Sequence, residues 1–473
     1  MKDHVQREGV TRPSRRNVAR VATLACLMTL TLGSGAQTST LRWSSASAGP
    51  AAAPAEAGAA AGASMRGRIE PALPAPVAPL PPSIDVAQFE AMAQQLVADQ
   101  KIPGLAMAVV QHGRVLSARG YGITDVRAAE PVDSHTVFRL ASLSKGFAGT
   151  MAGLLVNDGT LRWDSKVTDY LPAFTLRDRQ AAQQLTVADV LSHRVGLSRN
   201  AYDRELESYV DYRTLTHKLA NAPLQCQPGT CYSYQNVAFS LIGDIVFGAT
   251  GAFYAEQVQR RLLKPLGMND ASLGLEGIQA SPRWARPHVR GGKGWVSVTP
   301  KPTYYQVAPA AGVNASASDM AQWLLAQTGH RPDVLPAPLL ATLHRPLVET
   351  PGDTQGSAWR RQRVNAAGYG LGWRVYDYAG HELVFHGGAV QGYRGVVAML
   401  PGRDFGIALM WNSESSLPTG LVPTMLDRAL GLPEQRWMNF EFDEPTLVAE
   451  SNSTSPAPVT VGGSATKAAA APE

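Results

Sequence analysis

A serine and a lysine separated by two residues, in Ser142-Leu143-Ser144-Lys145, form the most informative short motif of this sequence. Residues three apart share one face of a helix, so the Lys145 amine can reach back to the Ser142 hydroxyl. A serine hydroxyl is a weak nucleophile at neutral pH and needs a neighbouring base. Lysine can act as that base where burial and nearby positive charge lower its pKa. The motif is compatible with acyl transfer through Ser142, with Lys145 as part of the base. Serine and lysine are also common at helix starts, so the motif alone does not indicate catalysis and further motifs must support it.

Two later motifs could complete such a reaction. Tyr234-Gln235-Asn236 offers a phenol, which can carry a proton to a leaving group, and an amide, which both donates and accepts hydrogen bonds. His386-Gly387-Gly388 is predicted to follow a strand, where a glycine pair lets a ligand approach and a backbone N–H can stabilise an oxyanion. Singly, these residues also suit a packed aromatic, a cap and a bend. Their order and spacing together favour the catalytic interpretation.

The hydrophobic pattern predicts the elements that must position these motifs. A helix is predicted from Ser142 to Val156, ending at Asn157-Asp158-Gly159. The middle of the chain, up to about residue 345, is predicted to be mainly helical. Other segments have the periodicity of one early helix and of strands at both ends of the chain, namely residues 86–97, 104–110, 115–118, 382–385, 395–400 and 405–411. Strands at both ends around a helical middle predict an α+β fold with one sheet assembled from distant segments.

In this order, the three motifs resemble those of the class C β-lactamase and D-alanyl-D-alanine carboxypeptidase superfamily of penicillin-binding serine hydrolases. The resemblance covers about residues 84–435. It rests on the three motifs and on supporting stretches at residues 138–145, 191–197, 228–229, 315–320 and 368–373. It implies a β-lactamase/transpeptidase-like fold, in which helices flank a central antiparallel sheet and a second lobe is mainly helical. We expect neither a cofactor nor a metal.

The resemblance also implies a role for each matched residue. Ser142 would be the acylated nucleophile, with Lys145 and Tyr234 as the base and proton-shuttle pair. Asn236 would contact the substrate amide. The backbone N–H groups of Ser142 and Ala389 would form the oxyanion hole.

The third motif departs from the pattern of true class C β-lactamases. Those enzymes usually carry lysine, threonine and glycine there, whose cation and hydroxyl hold the carboxylate of a penicillin. Here the corresponding cation is His386, which is largely neutral above pH 7, and Gly387 has no hydroxyl. His386, Gly387 and Gly388 are assigned to substrate binding with weakened carboxylate recognition. His193 is expected to be structural.

Several functions remain as hypotheses. The leading one is an acyl-enzyme hydrolase of D-alanyl peptides or β-lactams, similar to a D-Ala-D-Ala carboxypeptidase. The alternatives are a class C-type β-lactamase, a carboxylesterase of the same fold, and a non-catalytic protein that binds peptidoglycan fragments. A metalloprotease is disfavoured because the second histidine of His381-Glu382-Leu383-Val384-Phe385-His386 lies five residues after the first. No G-x-S-x-G nucleophile elbow is present.

The charge of the chain points to export and not to nucleic acid. Residues 1–36 hold six Lys or Arg against two acidic residues, so the remaining chain carries only +1 of the net +5. This basic start, the apolar run 18–32 and the small residues Ser34-Gly35-Ala36 follow the order of a secretory signal. The segment 14–18 resembles a twin-arginine motif. We predict periplasmic or secreted localisation, and no stable membrane span unless the signal is retained as an anchor.

Composition also divides the rest of the chain. We predict an Ala/Pro-rich linker at 37–83, the serine hydrolase domain at 84–445 and a disordered tail at 446–473. Within the domain, Cys226 and Cys231 bracket Pro228-Gly229, which suits the centre of a type II turn. Such a turn can bring the two thiols within bonding reach, so we predict a disulfide, with two free thiols as the alternative. The expected partner is a small-molecule or peptidoglycan-derived substrate.

Overall fold

The computed structural model describes residues 84–438, which all belong to one structural unit, Pro79–Glu473. The predicted signal at 1–36, linker at 37–83, domain end at 445 and tail at 446–473 lie outside the described residues.

A nine-stranded antiparallel sheet forms the centre of the described fold, in the order β3-β2-β1-β14-β13-β12-β11-β10-β9. Two smaller sheets, β4-β8-β5 and the hairpin β6-β7, lie in the middle of the chain. The strands are β1 Gly104–Gln111, β2 Arg114–Asp125, β3 Ala128–Pro131, β4 Phe138–Arg139, β5 Ser272–Leu273, β6 His288–Gly291, β7 Gly294–Ser297, β8 Val313–Ala315, β9 Val348–Glu349, β10 Val364–Tyr369, β11 Arg374–Tyr378, β12 His381–Val390, β13 Tyr393–Leu400 and β14 Phe405–Trp411.

Helices fill most of the chain between β4 and β9. The α-helices are α1 Ala87–Ala98, α2 Ser144–Asn157, α3 Val167–Tyr170, α4 Arg179–Gln184, α5 Val187–Leu191, α6 Asp203–Glu207, α7 Tyr212–Lys218, α8 Leu241–Thr250, α9 Tyr254–Val258, α10 Lys264–Leu266, α11 Gly274–Gln279, α12 Ala308–Ala311, α13 Ala317–Gln327, α14 Ala337–Leu343, α15 Ala358–Arg363 and α16 Leu421–Leu430. Short 3-10 helices span Ala141–Leu143, Leu219–Asn221, Thr303–Gln306, Pro351–Gln355, Pro401–Arg403 and Leu417–Gly420, and Gln259–Leu263 forms a π-helical turn.

The sheet joins the two ends of the described chain. β1 pairs with β14 in antiparallel register from Leu105 opposite Trp411 to Gln111 opposite Phe405. All residues of β1 are buried, because the strand has a hydrophobic cluster on each face. Ala106 and Ala108 pack in the cluster shared with the helical lobe, whereas Leu105 and Met107 pack in the cluster shared with α1 and α16. The sheet is therefore covered on both sides, as the family resemblance implied.

Some predicted elements differ in extent. The sequence did not predict β10 and β11, which border the glycine-rich stretch 368–373. The third motif does not follow a strand but lies inside β12, where Gly387 pairs with Val396 and Gly388 with Gly395 of β13. Glycine keeps a full set of backbone hydrogen-bonding groups, so the ladder continues through the pair.

Candidate active site

Ser142 lies in a tight turn directly before α2. Ala141 adopts a left-handed conformation with φ +49°, and Ala141–Leu143 forms a 3-10 turn that leads into α2 at Ser144. The α-helix thus begins two residues later than predicted, and Lys145 falls in its first turn. Val313 N donates to Ser144 Oγ at 3.0 Å, which fastens the turn to β8. This local geometry fixes Ser142 at the helix N-terminus, where the helix dipole favours negative charge.

The structure brings Ser142, Lys145, Tyr234 and Asn236 together. The Tyr234 hydroxyl donates to Ser142 Oγ at 2.9 Å, and Lys145 Nζ lies 3.3 Å from the same oxygen. Lys145 Nζ also donates to Asn236 Oδ1 at 2.8 Å and to the Ala310 carbonyl oxygen at 3.1 Å. Residues from two distant motifs therefore converge on a single hydroxyl.

Lys145 is completely buried, with 0% of its surface exposed. Burial lowers its pKa, and the positive charge of Arg374 acts in the same direction, whereas Tyr234 and Asp203 favour the ammonium form. The Lys145 amine also lies 4.7 Å from the centre of the Tyr234 ring. A lysine in this environment gives up its proton more readily than one in water, which is the requirement for a base.

Asp203 is a site residue that the sequence did not predict. Its Oδ2 accepts a hydrogen bond from Asn236 Nδ2 at 2.7 Å, so the amide oxygen of Asn236 faces Lys145. Burial raises the pKa of Asp203, while the Asn236 hydrogen bond and Lys145 oppose that rise. No motif marks this aspartate, because it begins the short helix α6 far from Tyr234 in sequence.

The third motif forms one wall of the site with its backbone. Gly388 packs against the Ser142 turn so closely that a side chain there would overlap the Leu140 carbonyl oxygen. At Gly387 the nearest atom to such a side chain would be Cζ of Phe385 at 3.9 Å, which leaves room on the cavity side. Pairing with β11 stops at Phe385, so within the described residues no strand lies beside that edge of β12 from residue 386 to 390. Ala389 is exposed on this free edge.

His386 lies behind the cavity wall and not in the cavity, in contrast to the substrate-binding position expected for it. Only 1% of its surface is exposed, and its Nε2 lies 3.1 Å from the Tyr369 hydroxyl. Burial, together with Arg374 and Lys145, holds the pKa of His386 well below its usual value. The histidine is therefore neutral and offers no cation to a ligand. His193, expected to be structural, is likewise buried and contacts the same Tyr369 hydroxyl at 3.2 Å.

A cavity of about 580 Å³ opens in front of Ser142. Its walls include Tyr234, Asn236, Gly387, Gly388 and Ala389, and also arginines that the sequence did not single out, Arg199, Arg360, Arg374 and Arg394. Arg374 forms an ion pair with Asp353, in which its Nη1 donates a hydrogen bond to the carboxylate. It directly follows the glycine-rich stretch 368–373, and this proximity to a matched stretch was the available sequence signal.

The loop before Tyr234 is held in place covalently and by hydrogen bonds. Cys226 and Cys231 are joined by a disulfide, and Gly229, with φ +82°, turns the chain between them. Ser233 N donates to the His193 carbonyl at 2.9 Å, and Asn200 N donates to the Tyr234 carbonyl at 2.8 Å. These contacts restrict where the phenol can lie.

Across residues 84–438, no three His, Cys, Asp or Glu side chains are arranged to hold a metal ion. In the same range, no helix is both long enough and apolar enough to cross a membrane.

Comparison with known proteins gives consistent matches. The family model described as Beta-lactamase matches residues 89–431. A D-aminopeptidase of Gluconobacter oxydans is 29% identical over 360 residues, which cover 73% of this chain and 62% of the relative. Penicillin-binding protein 4 of Amycolatopsis lactamdurans is 28% identical over 366 residues, covering 74% of this chain and 91% of the relative. Several other curated relatives are longer, and the chain spans only 62–66% of their length.

A solved structure shows the same fold. The octameric penicillin-binding protein homologue from Pyrococcus abyssi superposes with a TM-score of 0.66 and 23% identity, over 75% of this chain and 79% of that chain. With the antiparallel sheet and its helices, this likeness confirms the predicted β-lactamase/transpeptidase-like fold.

Proposed function

The chain belongs to the beta-lactamase family, and from this premise we propose that it is an exported serine hydrolase that works through an acyl-enzyme at Ser142. The observation that carries the proposal is the pair of proton carriers on one hydroxyl, with Tyr234 at 2.9 Å and Lys145 at 3.3 Å from Ser142 Oγ. A serine held between two such groups matches the geometry required of an activated nucleophile.

In the acylation step, Ser142 Oγ forms a bond to the acyl carbon while its proton passes to the Lys145 and Tyr234 pair. The buried Lys145, whose pKa is lowered, supplies the neutral amine that accepts a proton. The bond from the acyl carbon to the leaving nitrogen then breaks, and Tyr234 gives that nitrogen a proton. The backbone N–H groups of Ser142 and Ala389 would stabilise the oxyanion between these two events.

In the deacylation step, a water molecule replaces the leaving group. The same pair accepts the proton of the water as its oxygen bonds to the acyl carbon. Collapse of the second oxyanion breaks the ester bond and returns a proton to Ser142 Oγ. The product is a carboxylic acid, and the enzyme regains its starting protonation state.

We favour peptides with a D-configured residue at the cleaved bond and a free carboxylate beyond it. The free edge of β12 next to Ser142 suits an extended peptide, whose backbone can add to a sheet edge. Arg374 lines the cavity and is a cation, unlike His386, with Asp353 offsetting part of its charge. A relative named as a D-aminopeptidase supports a D-configured residue at the cleaved bond, while the free carboxylate rests on the cavity alone. Four arginines in the cavity wall favour an anionic end over a free amino group.

Export is part of the proposal and rests on residues 1–36. The disulfide between Cys226 and Cys231 supports an oxidising compartment, since such bonds are rare in the cytosol. A periplasmic or secreted enzyme would meet peptidoglycan-derived peptides directly.

The test compares the full chain with Ser142→Ala on a D-alanyl-D-alanine peptide, nitrocefin and p-nitrophenyl butyrate, with mass spectrometry after incubation with a fluorescent penicillin. We expect a penicillin adduct on Ser142 and faster turnover of the D-alanyl peptide than of nitrocefin, because Gly387 offers no hydroxyl. Turnover of nitrocefin alone would point to a β-lactamase, and of the ester alone to an esterase. Peptide binding without adduct or turnover would point to a binding protein, and equal rates for parent and variant would reject Ser142 as the nucleophile.

A further inference from the structure

A hydrogen-bonded chain of three buried side chains runs behind the reactive groups. The Tyr369 hydroxyl lies between His193 Nε2 at 3.2 Å and His386 Nε2 at 3.1 Å. None of the three side chains is more than 1% exposed. The proposed proton-transfer steps use none of these three side chains. Burying polar atoms costs free energy unless they are paired, so their hydrogen bonds to one another point to another role.

The hydrogen-bond partners at the two ends, Gln235 N and the Gly387 carbonyl, fix which atom donates and which accepts along this series of hydrogen bonds. Gln235 N donates to His193 Nδ1 at 3.1 Å, and a backbone amide can only donate, so the proton of neutral His193 is on Nε2. That Nε2–H donates to the Tyr369 oxygen, and the Tyr369 hydroxyl donates in turn to His386 Nε2. The proton of His386 is therefore on Nδ1, 2.8 Å from the Gly387 carbonyl oxygen that accepts it.

This order of donors and acceptors leaves no place for another proton. If His386 Nε2 also carried a proton, both histidines would donate to the Tyr369 oxygen. The buried Tyr369 hydroxyl would then lose His386 Nε2 as the acceptor of its own proton. Arg374 nearby, and Lys145 whenever it is protonated, also oppose a positive charge on either histidine.

We propose that Tyr369 is a positioning residue that, through two neutral histidines of fixed tautomer, locks Tyr234 and the oxyanion strand β12 into register around Ser142. The chain begins at Gln235, next to Tyr234, and ends at the carbonyl of Gly387 in β12. The His193 ring lies 4.3 Å from the Tyr234 ring, centre to centre, and the His386 ring lies 6.5 Å from it. The histidine of the third motif thus acts from behind the cavity and not on the substrate. The catalytic part of this inference rests on the proposed function.

The first measurement needs no turnover. Nitrogen-15 NMR of the histidine-labelled full chain, with signals assigned by single His→Gln variants, reports the tautomer and charge of each ring. We expect a proton on Nε2 of His193 and on Nδ1 of His386, and we expect both rings to remain neutral at a pH where an exposed histidine already gains a proton. The opposite tautomer in either ring, or a His386 that gains a proton near neutral pH, would contradict the proposed order of donors and acceptors through His193, Tyr369 and His386.

The second measurement is the acylation rate of Tyr369→Phe, which keeps the ring and removes the central hydroxyl. We expect acylation to slow by about tenfold to a hundredfold, the cost of a small misplacement of reacting groups, with little change in KM. Tyr232→Phe is the matched control, because the Tyr232 hydroxyl is buried near Tyr369 and has no hydrogen-bond partner among residues 84–438. Thermal unfolding of both variants shows whether the fold is kept.

The outcomes separate this inference from the proposed function. A parent that acylates at Ser142 and a Tyr369→Phe variant that acylates equally fast would overturn the positioning role alone. A parent with no reaction at Ser142 would overturn the proposed function and the positioning role with it. Equal losses in Tyr369→Phe and Tyr232→Phe would also reject the role, because they would show a general packing effect.

Discussion

The charge of Asp203 is transmitted to the proposed base through one amide. Asp203 orients Asn236, and Asn236 accepts from Lys145, so the carboxylate, the amide and the amine form a buried line. Burial lowers the pKa of Lys145, and Asp203 limits that fall. The pH at which the base becomes available should therefore depend on a residue that does not touch Ser142.

Replacing Asp203 with Asn tests this dependence. The substitution keeps an oxygen that can accept from Asn236 but removes the negative charge that favours the Lys145 ammonium. The acidic limb of kcat/KM against pH should move to lower pH by about one unit, as expected when an opposite charge is lost nearby. Glu207→Gln, on the same helix and bonded to Tyr304, should leave the limb in place. A limb that stays fixed or moves to higher pH in Asp203→Asn would contradict the assignment of Lys145.

Among individual site residues, the sequence predicted those inside the three motifs and missed those outside them. Ser142 and Lys145 could be placed together from their spacing in the sequence. Tyr234 and Asn236 could be added from their side-chain chemistry and from the family resemblance of the three motifs. Asp203 could not, since only the folded chain brings the start of α6 to the asparagine. His386 was placed on the wrong side of the cavity wall, because residue type alone does not say which way a side chain of a strand points.

The packing of the Ser142 turn on β12 sets the position of the proposed nucleophile. The Ser142 turn lies on β12 at Gly388, where a methyl group would meet the Leu140 carbonyl oxygen and lie 3.3 Å from Ser142 N. One residue earlier, at Gly387, the space is open. Packing therefore requires a glycine at position 388, whereas the space at position 387 would also accept a methyl group.

Gly388→Ala and Gly387→Ala form a matched pair on this strand. Gly388→Ala should push the Ser142 turn away from β12, which costs about 1–3 kcal/mol in the free energy of unfolding, as overpacking usually does. Acylation of Ser142 should fall by about a hundredfold. Gly387→Ala should change the free energy of unfolding by no more than about 0.5 kcal/mol. Chemical unfolding and penicillin labelling measure both effects, and equal stability of the two variants would disprove the packing argument.

Prediction at the level of elements succeeded where the hydrophobic pattern was long. β1 and β14 are continuous apolar runs, and α2 ends at the Asn157-Asp158-Gly159 signal, as predicted. β10 and β11 were missed because glycines separate them and their buried residues include several tyrosines. The extent of β12 was underestimated because a glycine pair is more often a bend than a continuing ladder.

The architecture of the whole molecule followed from the order of its segments. Strands near both ends of the described chain and helices between them allow few arrangements other than one sheet with an inserted lobe. The sequence could not predict how many polar side chains this arrangement buries. Four histidines, His193, His288, His344 and His386, lie in the interior, and burial is the main cause that lowers the pKa of each.

Buried neutral histidines make the folded state sensitive to acid. In the unfolded chain a histidine binds a proton as the pH falls through about 6.5, whereas burial lowers the pKa of His344 in the folded state to about 4. Between these values the unfolded state holds more protons, so stability falls as the pH falls. Asp319 acts in the opposite direction, since burial raises the pKa of its carboxyl to about 6, whereas carboxyls with a lowered pKa, such as Asp125, act in the same direction as the histidines. The effect of one histidine is therefore best isolated by comparing two proteins.

His344→Gln provides that comparison. Below pH 6.5 the parent should lose about 1.4 kcal/mol of stability per pH unit at His344, and the variant should not, because glutamine does not titrate. The free energy of unfolding of the parent should therefore fall relative to that of the variant as the pH falls from about 6.5 to about 4.5. The carboxyls cancel in this difference. Urea unfolding at several pH values measures it, and parallel curves for parent and variant would show that His344 is not held neutral by the fold.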